Sequence, residues 1–255
     1  MTSGFTTPLL DFFRRGDVER DLRLTAARGA LSLRPQEQLG LFMLLVDDRD
    51  PEVAAVADST LRAISPEVLA EFLARSDVAA EMRSFFATRG ITPADVPGDD
   101  SNEMPLVDNS ETAETGTEED EATTMQRIAA MSVAERVVAA MKGSREERAI
   151  LIRDSNKIVN VAVLSSPKIT ETEVESIARM TSVSEEVLRI IGRTRAWMKN
   201  YAVAAGLARN AKTPVALSMN LLPRLTDKDL KAISTDRNVP DVVRTSAKRK
   251  LSADK

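Results

Sequence analysis

The residues best suited to contact a charged ligand lie in the stretch RIIGRTRAWMKNYAV. Four basic residues, Arg189, Arg193, Arg195 and Lys199, surround the only tryptophan, Trp197, and the only tyrosine, Tyr201. On one continuous helix the two rings would share a face, and the Arg193 guanidinium would reach the Trp197 ring. If exposed, this combination suits phosphate contact with base stacking. The alternative is that the rings pack into a core while the cations are solvated.

A second candidate surface is formed by three predicted turns, RDSNK, ARNAKTP and TDRNVP, which each place a basic residue beside an asparagine. In a helical array such turns align along one edge, where their bases would form a ladder for an acidic or phosphate-bearing ligand: Arg153, Lys157, Arg209, Lys212 and Arg237. Alternatively, Asn156, Asn210 and Asn238 occupy left-handed positions at helix C-termini, where the cations complement the terminal carbonyls. Both interpretations can hold together.

Catalytic chemistry has little support in the sequence. Cys and His are absent, which excludes disulfides, thiolate or imidazole metal ligands and a Ser-His-Asp triad. No glycine-rich phosphate loop occurs, and Asp227 and Asp229 are two residues apart, which points them to different faces of a helix. We therefore predict no catalytic residues, no metal site, no cofactor and no small-molecule substrate.

The charges divide the chain into three segments. Residues 1–90 carry 11 Arg and 14 acids, residues 91–124 carry 11 acids and no base, and residues 125–255 carry 24 bases and 14 acids. The middle segment is poor in apolar residues and predicts a disordered acidic linker between an N-terminal module and a basic C-terminal module. The linker is interpreted as a spacer, as a mask over the basic module, or as a docking segment, because EMPLVDN forms an apolar island within it.

Helix-start signals recur every 12 to 20 residues and predict an all-α protein. Prolines at first helical positions follow four predicted N-caps: Thr7, Asp50, Ser65 and Thr213. Three capping boxes are predicted for the pairs Ser132 and Glu135, Ser144 and Glu147, and Thr170 and Glu173. No stretch shows the sustained alternation of a strand.

The stretch YAVAAGLARNAKTPVALSMNLL resembles the repeats of HEAT-like and leucine-rich-repeat-variant proteins, and RDPEVAAVADSTLRAI is similar to a second HEAT-type helix. The resemblance extends to a bacterial family of this build. It implies two short α-helical repeat modules that form an α-α superhelix, and a scaffold that binds other macromolecules.

From these features we predict a non-enzymatic cytoplasmic adaptor or scaffold whose basic module docks an acidic protein partner. The alternative is a nucleic-acid-binding protein regulated by its acidic linker. No stretch approaches the roughly 20 apolar residues that span a membrane, so no membrane partner is expected. The predicted partner-binding residues are Arg193, Arg195, Trp197, Lys199, Arg209, Lys212 and Arg237.

Overall fold

A computed structural model of the chain describes residues 7–96, 104–109 and 121–253. Within these ranges the regular elements are helices and no strand occurs, which confirms the predicted all-α class. No helix in the described ranges is long and apolar enough to cross a membrane. The chain divides into two compact units: residues 1–151 with 156–168, and residues 152–155 with 169–255.

The described residues of the first unit form ten α-helices. They are α1 (Pro8–Arg15), α2 (Arg20–Ala27), α3 (Pro35–Leu45), α4 (Pro51–Arg62), α5 (Pro66–Leu73), α6 (Ala80–Ala87), α7 (Glu121–Ala130), α8 (Val133–Lys142), α9 (Arg145–Leu151) and α10 (Lys157–Ser165).

As far as it is described, to residue 253, the second unit forms six α-helices and two short 3-10 helices. The α-helices are α11 (Glu171–Arg179), α12 (Glu185–Arg193), α13 (Tyr201–Arg209), α14 (Val215–Leu221), α15 (Asp227–Thr235) and α16 (Asp241–Ala253). The 3-10 helices are Trp197–Lys199, before α13, and Leu222–Arg224, before α15.

Most predicted helix starts are confirmed. All three capping boxes form, because in each box the carboxylate of the third helical residue accepts the backbone N–H of the cap. The side chains of Thr7 and Asp50 accept backbone N–H groups of α1 and α4. Ser65 precedes α5 but bonds the Glu67 carboxylate instead of the backbone. Thr213 is wrong as a cap, because α14 begins after Pro214 and buries the Thr213 side chain.

Helices α3 to α6 close around an apolar cluster in the first unit. It includes Leu39, Phe42, Leu73 and Phe86, each at most 1% exposed. The Phe86 ring meets Phe85 edge-on with centroids 5.2 Å apart, a favoured aromatic geometry. These helices bury apolar side chains against one another.

Residues 104–109, which we call the docked segment, pack against this cluster. Leu106 and Val107 are half-buried on it, and Asn109 donates to the backbone carbonyl of Arg28 at 3.0 Å. The predicted linker therefore needs correction at this point, because its apolar island is held in place by the first unit. The linker residues 97–103 and 110–120 lie outside the described residues.

Helices α7 to α10 also belong to the first unit. α10 contacts α1 and α8 contacts α2, while Met141, Val159 and Val163 are fully buried. The compact units thus divide near residue 169, which differs from the predicted modules of residues 1–90 and 125–255. The units divide there because the apolar faces of α8 and α10 pack against α2 and α1, which precede the predicted linker.

In the second unit, α11 and α13 approach closely. A Cβ atom added at Gly206 would lie 3.2 Å from the Arg179 side chain and 3.3 Å from Ala178, so a larger residue would push the helices apart. Their contact continues in a buried apolar core of the second unit, whose members include Val174, Ile177, Val187, Leu188, Ile191, Val203, Leu207, Leu230, Ile233 and Val243.

Candidate functional site

Four of the predicted partner-binding residues lie at the end of α12 and in its connection to α13: Arg193, Arg195, Trp197 and Lys199. α12 ends at Arg193, and its cap Thr194 has an extended backbone with φ −80° and ψ 106°. Asn200 is extended again and caps α13 by accepting the Ala202 N–H at 2.8 Å. The helix is therefore interrupted twice, and the prediction that Trp197 and Tyr201 share one helical face is wrong.

The predicted stacking of Arg193 on Trp197 fails for the same reason, because the two residues are not on one helix. In the described residues the arginines that lie over aromatic rings belong to the first unit. Arg75 lies 5.2 Å from the Phe72 ring centroid, and Arg89 lies 4.6 Å from that of Phe85.

Tyr201 joins the first turn of α13 to the first turn of α15. Its hydroxyl donates to the Asp229 carboxylate and accepts the backbone N–H of Thr226 at 3.0 Å. The hydrogen bond from Tyr201 is the main cause that lowers the pKa of Asp229 below its usual range. The residue Tyr201 remains 41% exposed, while Trp197 is half-buried. Both aromatic residues thus have structural contacts on one side.

Arg193, Arg195 and Lys199 remain exposed around this connection. Among the described residues, none of the three is paired with a carboxylate. Other cations of the second unit are neutralised on their own helices: Arg179 by Glu175, Arg189 by Glu185 and Glu186, and Arg244 by Asp241. We call Arg193, Arg195 and Lys199 the basic cluster. Its charges are free to meet an external anion.

Arg224 is a residue that the sequence reasoning missed. Its guanidinium donates to the backbone carbonyl of Met198 at 2.6 Å and so links the two 3-10 helices. Arg224 is exposed and adds a fourth positive charge beside the basic cluster. Its position directly after Pro223 was the available signal, because proline favours a short turn that brings the following residue to the surface.

The remaining three predicted residues are Arg209, the last residue of α13, and Lys212 and Arg237, which lie in the turns that follow α13 and α15. Arg209 reaches back toward Asp229, with 4.0 Å between the guanidinium and a carboxylate oxygen. Lys212 donates to the Val183 carbonyl at 3.3 Å, and Arg237 is exposed. α13 has nine residues and is therefore about 13 Å long. The seven predicted residues thus form two groups, one before α13 and one that begins at its last residue, Arg209.

The asparagines of these turns do not occupy left-handed positions. Asn210 is extended, with φ −77° and ψ 122°, and Asn156 is the N-cap of α10. Ser32 is the residue other than glycine with a positive φ in the described ranges. Asn210 instead is buried, where its amide donates to the carbonyls of Ala178 and Met180, both at 2.9 Å. It fixes the end of α13 to the end of α11.

The residues of the predicted ladder belong to two compact units, and the ladder stays a prediction. The turns of Arg209, Lys212 and Arg237 belong to the second unit, while Lys157 begins α10 in the first unit. Arg153 lies in the short stretch of residues 152–155, which belongs to the second unit. A turn geometry does recur: the side-chain oxygens of Asn210 and Asp236 each accept the backbone N–H two residues ahead, at 3.0 Å.

The chemistry available at this surface is electrostatic. The second unit carries 17 Lys and Arg against 11 Asp and Glu, a net charge of +6. The described residues contain no cluster of three or more acidic side chains that could hold a metal ion. The arrangement is thus suited to binding an anionic surface.

Comparison with known proteins gives no assignment for this chain. No protein-family model matches it, and neither a curated protein nor a solved structure matches it. The resemblance to HEAT-like and leucine-rich-repeat-variant proteins therefore stays a prediction.

Proposed function

We propose that the chain is a non-enzymatic cytoplasmic adaptor whose second unit binds an acidic protein partner. The observation that carries this proposal is the basic cluster, in which Arg193, Arg195 and Lys199 are exposed and are paired with no carboxylate of the described residues. Exposed cations of like sign raise the rate at which an oppositely charged surface arrives, and they select against basic partners.

The repeat architecture is part of the same proposal. The recurring turns at Asn210 and Asp236, and the side-by-side contact of α11 with α13, suit a short helical-repeat array. In such an array successive helices present a continuous surface, which gives an adaptor its docking area. Arg209, Lys212 and Arg237 would extend the contact beyond α13.

Nucleic-acid binding is the second candidate, and the 41% exposure of Tyr201 favours it. A stacked base requires a free aromatic face. The Tyr201 hydroxyl, however, is engaged with Asp229 and Thr226, and Trp197 is half-buried. These contacts hold the rings in structural roles, so the geometry supports an acidic protein partner better than a stacked nucleic acid.

The test uses the full chain and two fluorescent probes, a poly-glutamate peptide and a single-stranded oligonucleotide. The site variant is Arg193→Glu/Arg195→Glu/Lys199→Glu. The matched control, Lys231→Glu/Lys248→Glu/Arg249→Glu, changes the net charge equally at exposed positions outside the basic cluster. We expect the site variant to lose poly-glutamate binding and the control to retain most of it, with added salt weakening both.

Equal loss in the two variants would show that net charge alone drives binding, and would overturn the proposed site. Tighter binding of the oligonucleotide than of poly-glutamate, together with a loss in Trp197→Ala or Tyr201→Ala, would assign the surface to nucleic acid. No binding of either probe at low salt would refute an anion-binding surface.

A further inference from the structure

We propose that the surface holding the docked segment is a peptide-binding groove in the first unit. Its ligand would be an extended segment of a partner protein with two consecutive aliphatic residues followed by an acidic one. Residues 104–109 would be the chain's own exchangeable occupant of this groove. The proposal uses none of the residues of the basic cluster and does not rest on the proposed function.

Gln38 on α3 provides the first element of recognition, because its side chain forms hydrogen bonds with the backbone of the docked segment. Its side-chain oxygen accepts the N–H groups of Leu106 and Val107 at 2.8 and 3.1 Å, and its amide donates to the Val107 carbonyl at 2.5 Å. Gln38 is only 3% exposed. Backbone hydrogen bonds are available from almost any extended peptide, so this contact supplies affinity without demanding a particular sequence.

Gly29 provides the second element, because it shapes the site for an aliphatic side chain. A Cβ atom at Gly29 would lie 2.9 Å from Val107 Cγ1, and Thr60 lies on the same side. The φ of Gly29 is +78°, a conformation that glycine adopts without strain. Leu106 rests beside it on the apolar cluster of α3 to α6. Position 107 therefore admits a valine-sized residue in contact with bare backbone.

Lys142 on α8 provides the third element, a charge. Its ammonium group meets both oxygens of Asp108 at 2.6 and 2.8 Å. Asn109 then donates to the carbonyl of Arg28 at the end of α2. Along the docked segment the groove thus contacts, in order, the backbone, an aliphatic side chain, an acidic side chain and an amide side chain. This order defines the class of partner segment it would accept.

The docked segment is only partly buried, as an exchangeable occupant requires. Leu106 and Val107 are only half-buried, Asp108 and Asn109 are exposed, and Met104 is 71% exposed. The segment is tethered to the groove by its own chain, so an external peptide competes with an effective concentration on the order of 1 mM. Weak binding to the native chain and stronger binding after release of the segment are the expected signature.

The experiment measures anisotropy of a labelled peptide with the sequence NEMPLVDNSE titrated with the full chain. The variant Leu106→Ser/Val107→Ser weakens the chain's own occupant and should bind the peptide at least about tenfold more tightly than the native chain. Adding Gln38→Ala to this variant should lower the affinity about tenfold or more, since three hydrogen bonds are lost. Circular dichroism melting confirms that each variant is folded.

A second measurement avoids disturbing the packing of Leu106. The chain has no cysteine, and a Cβ at Gly29 would lie 3.4 Å from Val107 Cβ, close to the separation found in disulfides. In Gly29→Cys/Val107→Cys, oxidation should trap the segment and abolish peptide binding, while reduction should restore it. The two single-cysteine variants serve as controls.

Absence of saturable binding to the Leu106→Ser/Val107→Ser chain, or equal binding to the oxidised and reduced double-cysteine chain, would overturn the groove. Concentration-dependent dimers that disappear in Leu106→Ser/Val107→Ser would assign the occupant to a second copy of this chain and overturn the assignment to a separate partner.

Discussion

Glu37 is a carboxylic acid held in an apolar setting on α3. Burial raises its pKa above the ordinary value of 4.5, although a hydrogen bond from the Thr7 hydroxyl and the charge of Arg34 oppose the rise. Above the ordinary pKa the folded chain therefore binds more protons at this site than the unfolded chain. Stability must then fall as the pH rises through this range.

Glu37→Gln removes this titration and keeps an oxygen for the Thr7 hydroxyl. We expect the variant to gain stability relative to the native chain between pH 4 and pH 7, as measured by urea unfolding at each pH. Glu67→Gln is the opposite control, because its pKa is lowered by the Ser65 hydroxyl and its charge stabilises the fold above pH 4.5. A constant difference between Glu37→Gln and the native chain would contradict the assigned burial effect.

Tyr201 offers a second test at the residue scale. Tyr201→Phe keeps the ring but removes the hydroxyl shared by Asp229 and Thr226. We expect a loss of about 1 kcal/mol in the free energy of unfolding. The pKa of Asp229, followed by NMR titration, should rise toward its ordinary value. An unchanged Asp229 pKa would show that the hydroxyl does not stabilise that carboxylate.

Helix starts were the elements that the sequence predicted well, because a cap depends on residues within one turn of each other. The pair Thr170 and Glu173 forms its box without help from the rest of the fold. The break between α12 and α13 was harder. Asn200 before an apolar run is an N-cap signal, but the same residues also fit a continuous helix. The hydrogen bond from Arg224 to the Met198 carbonyl joins residues that are distant in sequence, so it depends on the folded structure.

The docked segment could not be predicted as such from local sequence. EMPLVDN was recognisable as an apolar island, but Leu106 and its partner Gln38 are 68 residues apart. Only the folded α3 places the Gln38 amide where it can meet the segment. The apolar neighbours of Gln38 in EQLGLFMLL marked it as a polar residue on a buried face, a signal that points to an internal partner without naming it.

Hydrogen exchange tests the contact between Gln38 on α3 and the docked segment. The amides of Leu106 and Val107 donate to Gln38, so we expect them to exchange more slowly than unprotected amides. Gln38→Ala should remove that protection. Gln36→Ala is the matched control on the same helix, because its amide donates to the Asp77 carbonyl at the surface. Fast exchange in the native chain would contradict the docking.

At the scale of the whole molecule, charge separates by unit as well as by segment. The first unit carries 18 bases and 28 acids, a net of −10, while the second unit carries a net of +6. Charge counting along the chain placed α7 to α10 with the basic module. Their apolar faces place them in the acidic unit. Burying side chains such as Val159 and Val163 stabilises the fold more than a few solvent-exposed charges do.

Limited proteolysis distinguishes the two divisions. We expect a Glu-specific protease to cut the full chain first between residues 110 and 120, which are rich in Glu and poor in apolar residues. The two products should nevertheless elute together in gel filtration, because α8 and α10 contact α2 and α1 across the cut. Separate elution of the fragments would instead support independent modules on a tether.

Acylation of Lys142 provides a chemical probe of the docked segment. The sequence contains no lysine before Lys142, so amine-directed acylation leaves every side chain of residues 1–141 untouched. The Lys142 ammonium lies against both oxygens of Asp108, so the docked segment shields its nitrogen from an ester as long as this ion pair is formed. Its labelling rate therefore reports whether the groove is filled. Once acylated, the same nitrogen has no charge for Asp108, so an acyl-transfer enzyme acting at this lysine would loosen residues 104–109.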